Sequence, residues 1–79
     1  MNKHYFINGK NRKEIYNYIH DNYEVIDYVR NKEYMLKSSF PFILDLEDNT
    51  LGLLESITSC AMASQNNQII SLEEFKKEE

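Results

Sequence analysis

The chain has 79 residues, 42% of them hydrophobic, and a formal net charge of −4. Two glycines and one proline in this composition indicate a folded domain rather than a disordered segment, although a core of this size leaves little margin of stability. The acidic balance argues against a general nucleic-acid-binding protein, which would present a basic surface.

The first 22 residues predict a strand followed by an amphipathic helix. Residues 4–7 form a short apolar and aromatic run that ends at Asn8 and Gly9, a strong turn signal. Asn11, with Glu14 three residues later, is typical of a capped helix start. The residues that then recur at three- and four-residue spacing are Ile15, Tyr18, Ile19 and Asn22. This spacing predicts a helix of about three turns.

Residues 23–37 leave two interpretations open. β-Branched and aromatic residues over 23–29 favour a strand, whereas continuation of the helix through Tyr23 and Ile26 is the alternative. Residues 31–33 read as a turn, and residues 34–37 as another short strand.

The strongest strand signal lies at residues 40–46. The residues on one face of this strand are Phe40, Phe42, Leu44 and Leu46. Pro41 lacks a backbone donor and should begin the strand or lie on an edge. A polar turn at 47–50 leads into a return strand over 51–57. Residues 59–67 are mostly small and polar and predict a loop or a poorly paired edge.

The last ten residues predict a short strand that turns directly into a helix. Ser71 and Glu74 have the spacing of a capping box, in which each side chain bonds the backbone amide of the other residue. Ile70 and Phe75 stand at the two positions of a hydrophobic staple.

These elements predict an α+β fold within a single domain over residues 1–79. We expect a small antiparallel sheet, one amphipathic helix packed across it and a short C-terminal helical turn. The residues expected in the core are Phe6, Ile15, Ile19, Phe42, Leu44, Leu53 and Ile69.

The sequence also indicates a compartment. Its single cysteine, Cys60, excludes an internal disulfide and indicates a reducing environment. No apolar run approaches the roughly 20 residues that span a bilayer, and the amino terminus is polar. We therefore expect a cytoplasmic protein without a membrane partner.

No motif in the chain supports catalysis or metal binding. A calcium-loop-like run over 45–56 has Thr50 where the loop needs glycine and Ser56 where it needs a bidentate glutamate. The histidines and the cysteine are His4, His20 and Cys60, with no close pair in sequence. We expect no catalytic residue, no metal and no cofactor, and therefore no enzyme.

The charged residues are distributed unevenly. Residues 1–37 hold seven basic and five acidic side chains, and residues 38–79 hold two and eight. The acidic residues around the predicted hairpin are Asp45, Glu47, Asp48 and Glu55. We expect these four to bind a basic site on a partner protein, with exposed tyrosines as anchors.

A second candidate site lies at the start of the first helix. Lys10, Arg12 and Lys13 crowd this point, where free backbone amides also attract anions. They are candidates for binding a phosphate group of a nucleotide.

Three segments of the chain carry a family resemblance. They are the helix segment Lys-Glu-Ile-Tyr-Asn-Tyr at 13–18, the hairpin segment Phe-Pro-Phe-Ile-Leu-Asp at 40–45 and the ending Ile-Ser-Leu-Glu-Glu-Phe at 70–75. In this layout the chain resembles small accessory proteins encoded by phages and mobile elements of low-GC Gram-positive bacteria. Some such proteins block host defences, including CRISPR nucleases, and others sequester nucleotide immune signals.

The resemblance implies a phage-type protein that inhibits a host defence system by stoichiometric protein binding, in the cytoplasm of an infected bacterium. One alternative is a homo-oligomeric sponge that sequesters a nucleotide immune signal. Another is a DNA-binding regulator, although the negative charge argues against direct binding to nucleic acid.

Overall fold

A computed structural model describes residues 4–79, and this range contains five strands and four helices. The strands are β1 (His4–Ile7), β2 (Asp27–Tyr28), β3 (Phe42–Asp45), β4 (Thr50–Leu53) and β5 (Ile69–Ile70). The helices are α1 (Arg12–Asn22), α2 (Lys32–Lys37), α3 (Ile57–Gln65) and α4 (Leu72–Glu78).

The strands form one sheet in the order β2-β4-β3-β1-β5. β3 runs antiparallel to both of its neighbours, whereas β1 pairs with β5, and β2 with β4, in parallel. The α+β class is confirmed, but the sheet is mixed rather than antiparallel as predicted. The parallel pairs arise because helical crossovers, rather than tight turns, lead into β2 and β5.

One face of the sheet carries the main core. Phe42 and Leu44 of β3 pair with Leu53 and Leu51 of β4 on this face, and all four are buried. The helices contribute Ile15, Tyr16, Ile19, Met35, Leu72 and Phe75. The amphipathic helix predicted from the spacing of Ile15 and Ile19 is therefore confirmed as α1, packed against the sheet.

Two residues expected in the core lie on the other face of the sheet. They are Phe6 and Ile69, which pair with each other across β1 and β5. Ile43, the partner of Phe6 on β3, lies on the same face, and all three residues are only half-buried. Ile7, the next residue of β1, is fully buried instead. Successive side chains of a strand point to opposite faces of the sheet. Shifting the predicted alternation along β1 by one residue therefore exchanges Phe6 and Ile7 between the core and the other face.

α3 corrects the expectation of a loop or edge at 59–67. The hydroxyl of Ser56 caps this helix by accepting from the backbone amide of Ser59 at 3.2 Å. The connection β1-α1-β2 crosses the sheet toward its β2 edge, whereas β4-α3-β5 crosses it toward its β5 edge. Because both connections join parallel strands and such crossovers are right-handed, α1 and α3 lie on opposite faces of the sheet. Ala63 is the buried residue of α3 and lies outside the main core cluster.

α2 corrects the expectation of a turn and strand at 31–37. Asn31 caps this helix, accepting from the amide of Tyr34 at 2.8 Å, and Met35 is fully buried. The preceding segment 23–30 contains only the two-residue strand β2. The strand predicted over residues 23–29 is therefore present, but only at Asp27 and Tyr28.

The predicted helix caps at 11–14 and 71–74 are confirmed. Asn11 accepts from the amide of Glu14, and both hydrogen bonds of the Ser71–Glu74 capping box are present. Phe75 of α4 is fully buried. In the part of the chain that the structure describes, no helix has the length and apolar character needed to cross a membrane.

Candidate functional site

The sheet has two unlike ends, and the candidate residues divide between them. At the hairpin end, β3 stops, the turn 46–49 follows, and β1, β2 and β4 begin. At the opposite end, which we call the cleft end, β1 leads into α1 and β2 into α2. Two surface clefts also lie at this second end.

Asp45 holds the turn at the hairpin end in one conformation. Its Oδ1 accepts from the amides of Glu47 at 2.9 Å and Asp48 at 3.1 Å, and His4 Nε2 lies 3.1 Å from its Oδ2. The amide of Asp48 is the main cause that lowers the pKa of the Asp45 carboxyl. Asn49 completes the turn with a φ of 58°, a conformation that asparagine tolerates. These two hydrogen bonds from backbone amides to Asp45 fix the conformation of the turn, and we call them the brace. The side chains of Glu47 and Asp48 remain exposed.

The end of α4 also reaches the hairpin end. Tyr5, whose neighbour across the sheet is Leu44, donates its hydroxyl proton to Glu79 at 2.5 Å. This bond is the main cause that raises the pKa of Tyr5 to about 12. Glu78 of α4 lines a surface depression with Tyr5. The carboxylates of the turn and of the last helix are thus gathered at one end of the sheet.

Three further carboxylates belong to the hairpin end and were not among the predicted contact residues. They are Asp21, Glu24 and Asp27. Asp27 pairs with Thr50 at the start of β4, and the amide of Ile26 bonds the carbonyl of Asn49. These residues reach this end because α1 runs back along the sheet, which the order of charges along the sequence does not reveal.

Glu55, the fourth predicted contact residue, lies at the cleft end. β4 spans roughly 10 Å and separates it from the turn. Its carboxylate accepts from Arg30 Nε at 2.8 Å and Nη2 at 3.3 Å, and from the Tyr34 hydroxyl at 3.2 Å. The bond from Arg30 is the main cause that lowers the pKa of Glu55. The four predicted residues therefore do not form one continuous patch.

Arg12 is half-buried, and its guanidinium group bonds neighbouring parts of the protein. Its Nε donates to the Met35 carbonyl at 3.0 Å and its Nη1 to Asn8 Oδ1 at 3.1 Å. The guanidinium carbon lies 4.4 Å from the centre of the Phe42 ring, and burial lowers the pKa of the group. Within residues 4–79 the buried Nη2 has no hydrogen-bond partner. Of the predicted anion-binding residues, Lys10 and Lys13 are the exposed ones.

Two adjoining clefts mark the cleft end. The first, of about 480 Å³, lies between α2 and the segment after it and includes Tyr34, Lys37 and Phe40 in its lining. The second, of about 410 Å³, lies beside the start of α1 and includes Lys10 and Arg12. Ser38 and Ser39 line both clefts.

No metal centre is formed among residues 4–79, since no three histidine, cysteine or acidic side chains are grouped to hold an ion. The thiol of Cys60 donates to the Leu54 carbonyl at 3.1 Å, a contact that connects α3 to the end of β4.

No protein-family model matches the chain, and neither a curated protein nor a solved structure shows significant similarity to it. The chemistry of its own surface is therefore the basis for assigning a function.

The brace at Asp45 predicts a pH-dependent contribution to stability. Because the pKa of Asp45 is lowered on folding, its contribution is complete above the pKa of the unfolded chain and is lost as pH falls through the folded pKa. We expect Asp45→Asn to be less stable than the parent at pH 7, with a difference that shrinks below about pH 5. Urea unfolding at pH 7, 5, 4 and 3 measures this difference. Asp48→Asn is the control, and a constant difference for Asp45→Asn would contradict the prediction.

Proposed function

We propose that this protein inhibits a host defence protein, such as a CRISPR nuclease, by binding it stoichiometrically in an infected bacterium. The supporting observation is the hairpin end, where a braced turn exposes Glu47 and Asp48 at the same end of the sheet as the carboxylates at the end of α4. Such a surface is complementary to a basic groove on a partner.

The brace contributes to binding as well as to folding. Asp45 already holds the backbone of Glu47 and Asp48 in one conformation, so binding through these two side chains would order little additional backbone. Exposed carboxylates on an ordered turn also accelerate encounter with a basic partner, an effect that salt weakens.

The contact residues that support this proposal are therefore Glu47 and Asp48, with Asp45 as a positioning residue. Tyr34 is the exposed one among the six tyrosines, all of which the structure describes, with 45% of its surface accessible. It lies at the cleft end with Glu55 and the exposed Ile57. A partner that covers both ends would have Tyr34 as an aromatic anchor.

Charge reversal at the turn tests the proposal. We expect Glu47→Lys/Asp48→Lys to raise the Kd for the partner by about tenfold or more, mainly through slower association, and to reduce its dependence on salt. The partner is first identified by co-purification from a Gram-positive host. Binding is then measured by surface plasmon resonance at two salt concentrations, alongside an assay of the partner's activity.

Glu14→Lys/Glu73→Lys is the matched control. It changes the net charge equally but alters exposed residues in the first turns of α1 and α4. Equal weakening by both double variants would show a general charge effect and contradict a contact at the turn. A protein that forms no stoichiometric, inhibited complex would contradict the proposed function itself.

A further inference from the structure

Asn8 and Gly9, which follow β1 and precede α1, form the one Asn-Gly step in the sequence. An asparagine followed by glycine is prone to lose its side-chain amide. The reason is that glycine has no side chain to obstruct attack of its backbone nitrogen on the asparagine side chain. Gly9 is exposed, and both residues line the second cleft, so water and base reach them from solvent.

The hydrogen bonds of the Asn8 side chain favour this attack. The amide nitrogen of Gly9 lies 3.0 Å from Asn8 Oδ1, next to the side-chain amide that it would attack. Arg12 Nη1 donates to the same oxygen at 3.1 Å, and negative charge collects on that oxygen when a nitrogen adds to the carbon. The leaving nitrogen, Asn8 Nδ2, is 3.4 Å from the Ser39 carbonyl oxygen, longer than an ordinary N–H···O hydrogen bond. The side chain is thus polarised at its carbonyl and weakly held at its nitrogen.

The acceptors of Arg12 are uncharged. Its guanidinium bonds the backbone carbonyl of Met35 and the side-chain carbonyl of Asn8, and its buried Nη2 has no hydrogen-bond partner within residues 4–79. Burial lowers the pKa of this group, which shows that the charge is partly desolvated. A carboxylate in place of the Asn8 amide would therefore give a half-buried cation an oppositely charged partner.

We propose that Asn8 is a site of spontaneous deamidation and that the aspartate formed there makes an ion pair with Arg12. The Gly9 nitrogen loses its proton to base and bonds Asn8 Cγ, and Nδ2 leaves as ammonia, which closes a succinimide ring between the two residues. Water then opens the ring at Cγ to give aspartate, or at the backbone carbonyl to give isoaspartate. The net change consumes water and releases ammonia.

Arg12 directs the second step as well as the first. It polarises the carbonyl at Cγ, so in the folded protein water opens the ring there and aspartate forms in excess over isoaspartate. The new carboxylate gives up the long contact with Ser39 and keeps the short one with Arg12. That contact becomes an ion pair in a half-buried position, where salt and water screen it less than at the surface. The site lies at the cleft end, so it is independent of inhibition through Glu47 and Asp48.

The first test follows the parent protein over time in mildly alkaline buffer. Peptide mapping by mass spectrometry locates each exchange of an amide nitrogen for oxygen, and fragmentation distinguishes aspartate from isoaspartate. We expect position 8 to be modified before any other asparagine, with aspartate in excess. In concentrated urea, where Arg12 is no longer held beside Asn8, isoaspartate should predominate instead.

Gly9→Ala is the matched control for the reaction. Its added Cβ would lie 3.4 Å from Ile15 Cδ1, an ordinary van der Waals distance, and the φ of Gly9 is not positive, so the variant should fold. It should deamidate at Asn8 several-fold more slowly, because the new methyl group obstructs closure of the ring.

The ion pair is tested with Asn8→Asp, which makes the aspartate product directly. We expect its Tm at pH 7 to exceed that of the parent by about 4 °C, the shift that a modest gain in stability gives a domain of this size. The gain should disappear below about pH 4, where the carboxyl becomes protonated. Lys13→Gln changes the net charge equally at the start of α1 and should leave the Tm unchanged.

Four results would overturn the proposal. They are modification of other asparagines while Asn8 stays intact, equal rates for Gly9→Ala and the parent, an excess of isoaspartate in the folded protein, and a Tm of Asn8→Asp no higher than that of Lys13→Gln. The time course uses the parent protein, so it decides the matter even if Asn8→Asp does not fold.

Discussion

Replacing Phe75 by alanine is expected to lower the free energy of unfolding by about 3–5 kcal/mol. Phe75 is fully buried, and its ring centre lies 5.1 Å from that of Tyr5, 6.4 Å from that of Tyr18 and 5.6 Å from that of Tyr23. These contacts connect α4 to β1 and α1. A loss of this size would remove most of the stability of so small a domain, and Phe75→Ala should be largely unfolded at 37 °C.

Urea unfolding followed by circular dichroism measures this loss. Phe75→Leu preserves most of the volume and should cost less than Phe75→Ala. Phe40→Ala is the control, because Phe40 is half-buried at the edge of the same core. If Phe75→Ala costs no more than Phe40→Ala, the aromatic cluster does not hold α4 in place.

Replacing Arg12 by alanine is expected to lower the free energy of unfolding by about 2–3 kcal/mol. The change removes two hydrogen bonds of a charged donor and leaves the carbonyl of buried Met35 without its partner. It also removes the guanidinium from the face of Phe42, a contact worth about 1–2 kcal/mol when desolvated. The cost of burying a charge with one unpaired nitrogen offsets part of these terms.

Arg12→Lys distinguishes geometry from charge. Lysine keeps the positive charge but cannot direct planar donors to Met35 and Asn8 while covering Phe42. We therefore expect Arg12→Lys to lose at least half as much stability as Arg12→Ala in thermal unfolding. The neighbouring Lys13→Ala is the control and should change the midpoint little. Full stability of Arg12→Lys would mean that charge alone matters at this position.

The parts of the fold that the sequence predicts well are encoded by near neighbours. The caps at Asn11 and Ser71 depend on residues three positions away, and the strand at Phe42 and Leu44 depends on simple alternation. All of these are confirmed.

The parts that were mispredicted depend on weaker or longer-range signals. In α3 only Ala63 is buried, so its sequence has no amphipathic repeat to indicate a helix. In α2 the apolar run Tyr34, Met35, Leu36 resembles a strand, and the cap at Asn31 lacks the acidic partner three residues later that marks a capping box.

The candidate site was only partly predictable for the same reason. Asp45 bonds amides two and three residues away, a local turn that its sequence signals. Glu55 instead pairs with Arg30, and Arg12 bonds Met35, contacts between residues that are 25 and 23 positions apart. Separations of this kind follow from the sheet order, and the charge pattern along the chain does not reveal them.

The pairing of β1 with β5 has a consequence for how the protein is made. Phe6 and Ile7 pair with Ile69 and Ile70, and Tyr5 bonds a residue 74 positions away. At a synthesis rate of 5–20 residues per second, β1 waits roughly 3–13 s on the ribosome before β5 exists. During that time β1 can already pair with β3, but the edge of β1 that β5 later covers stays open to pairing with other chains.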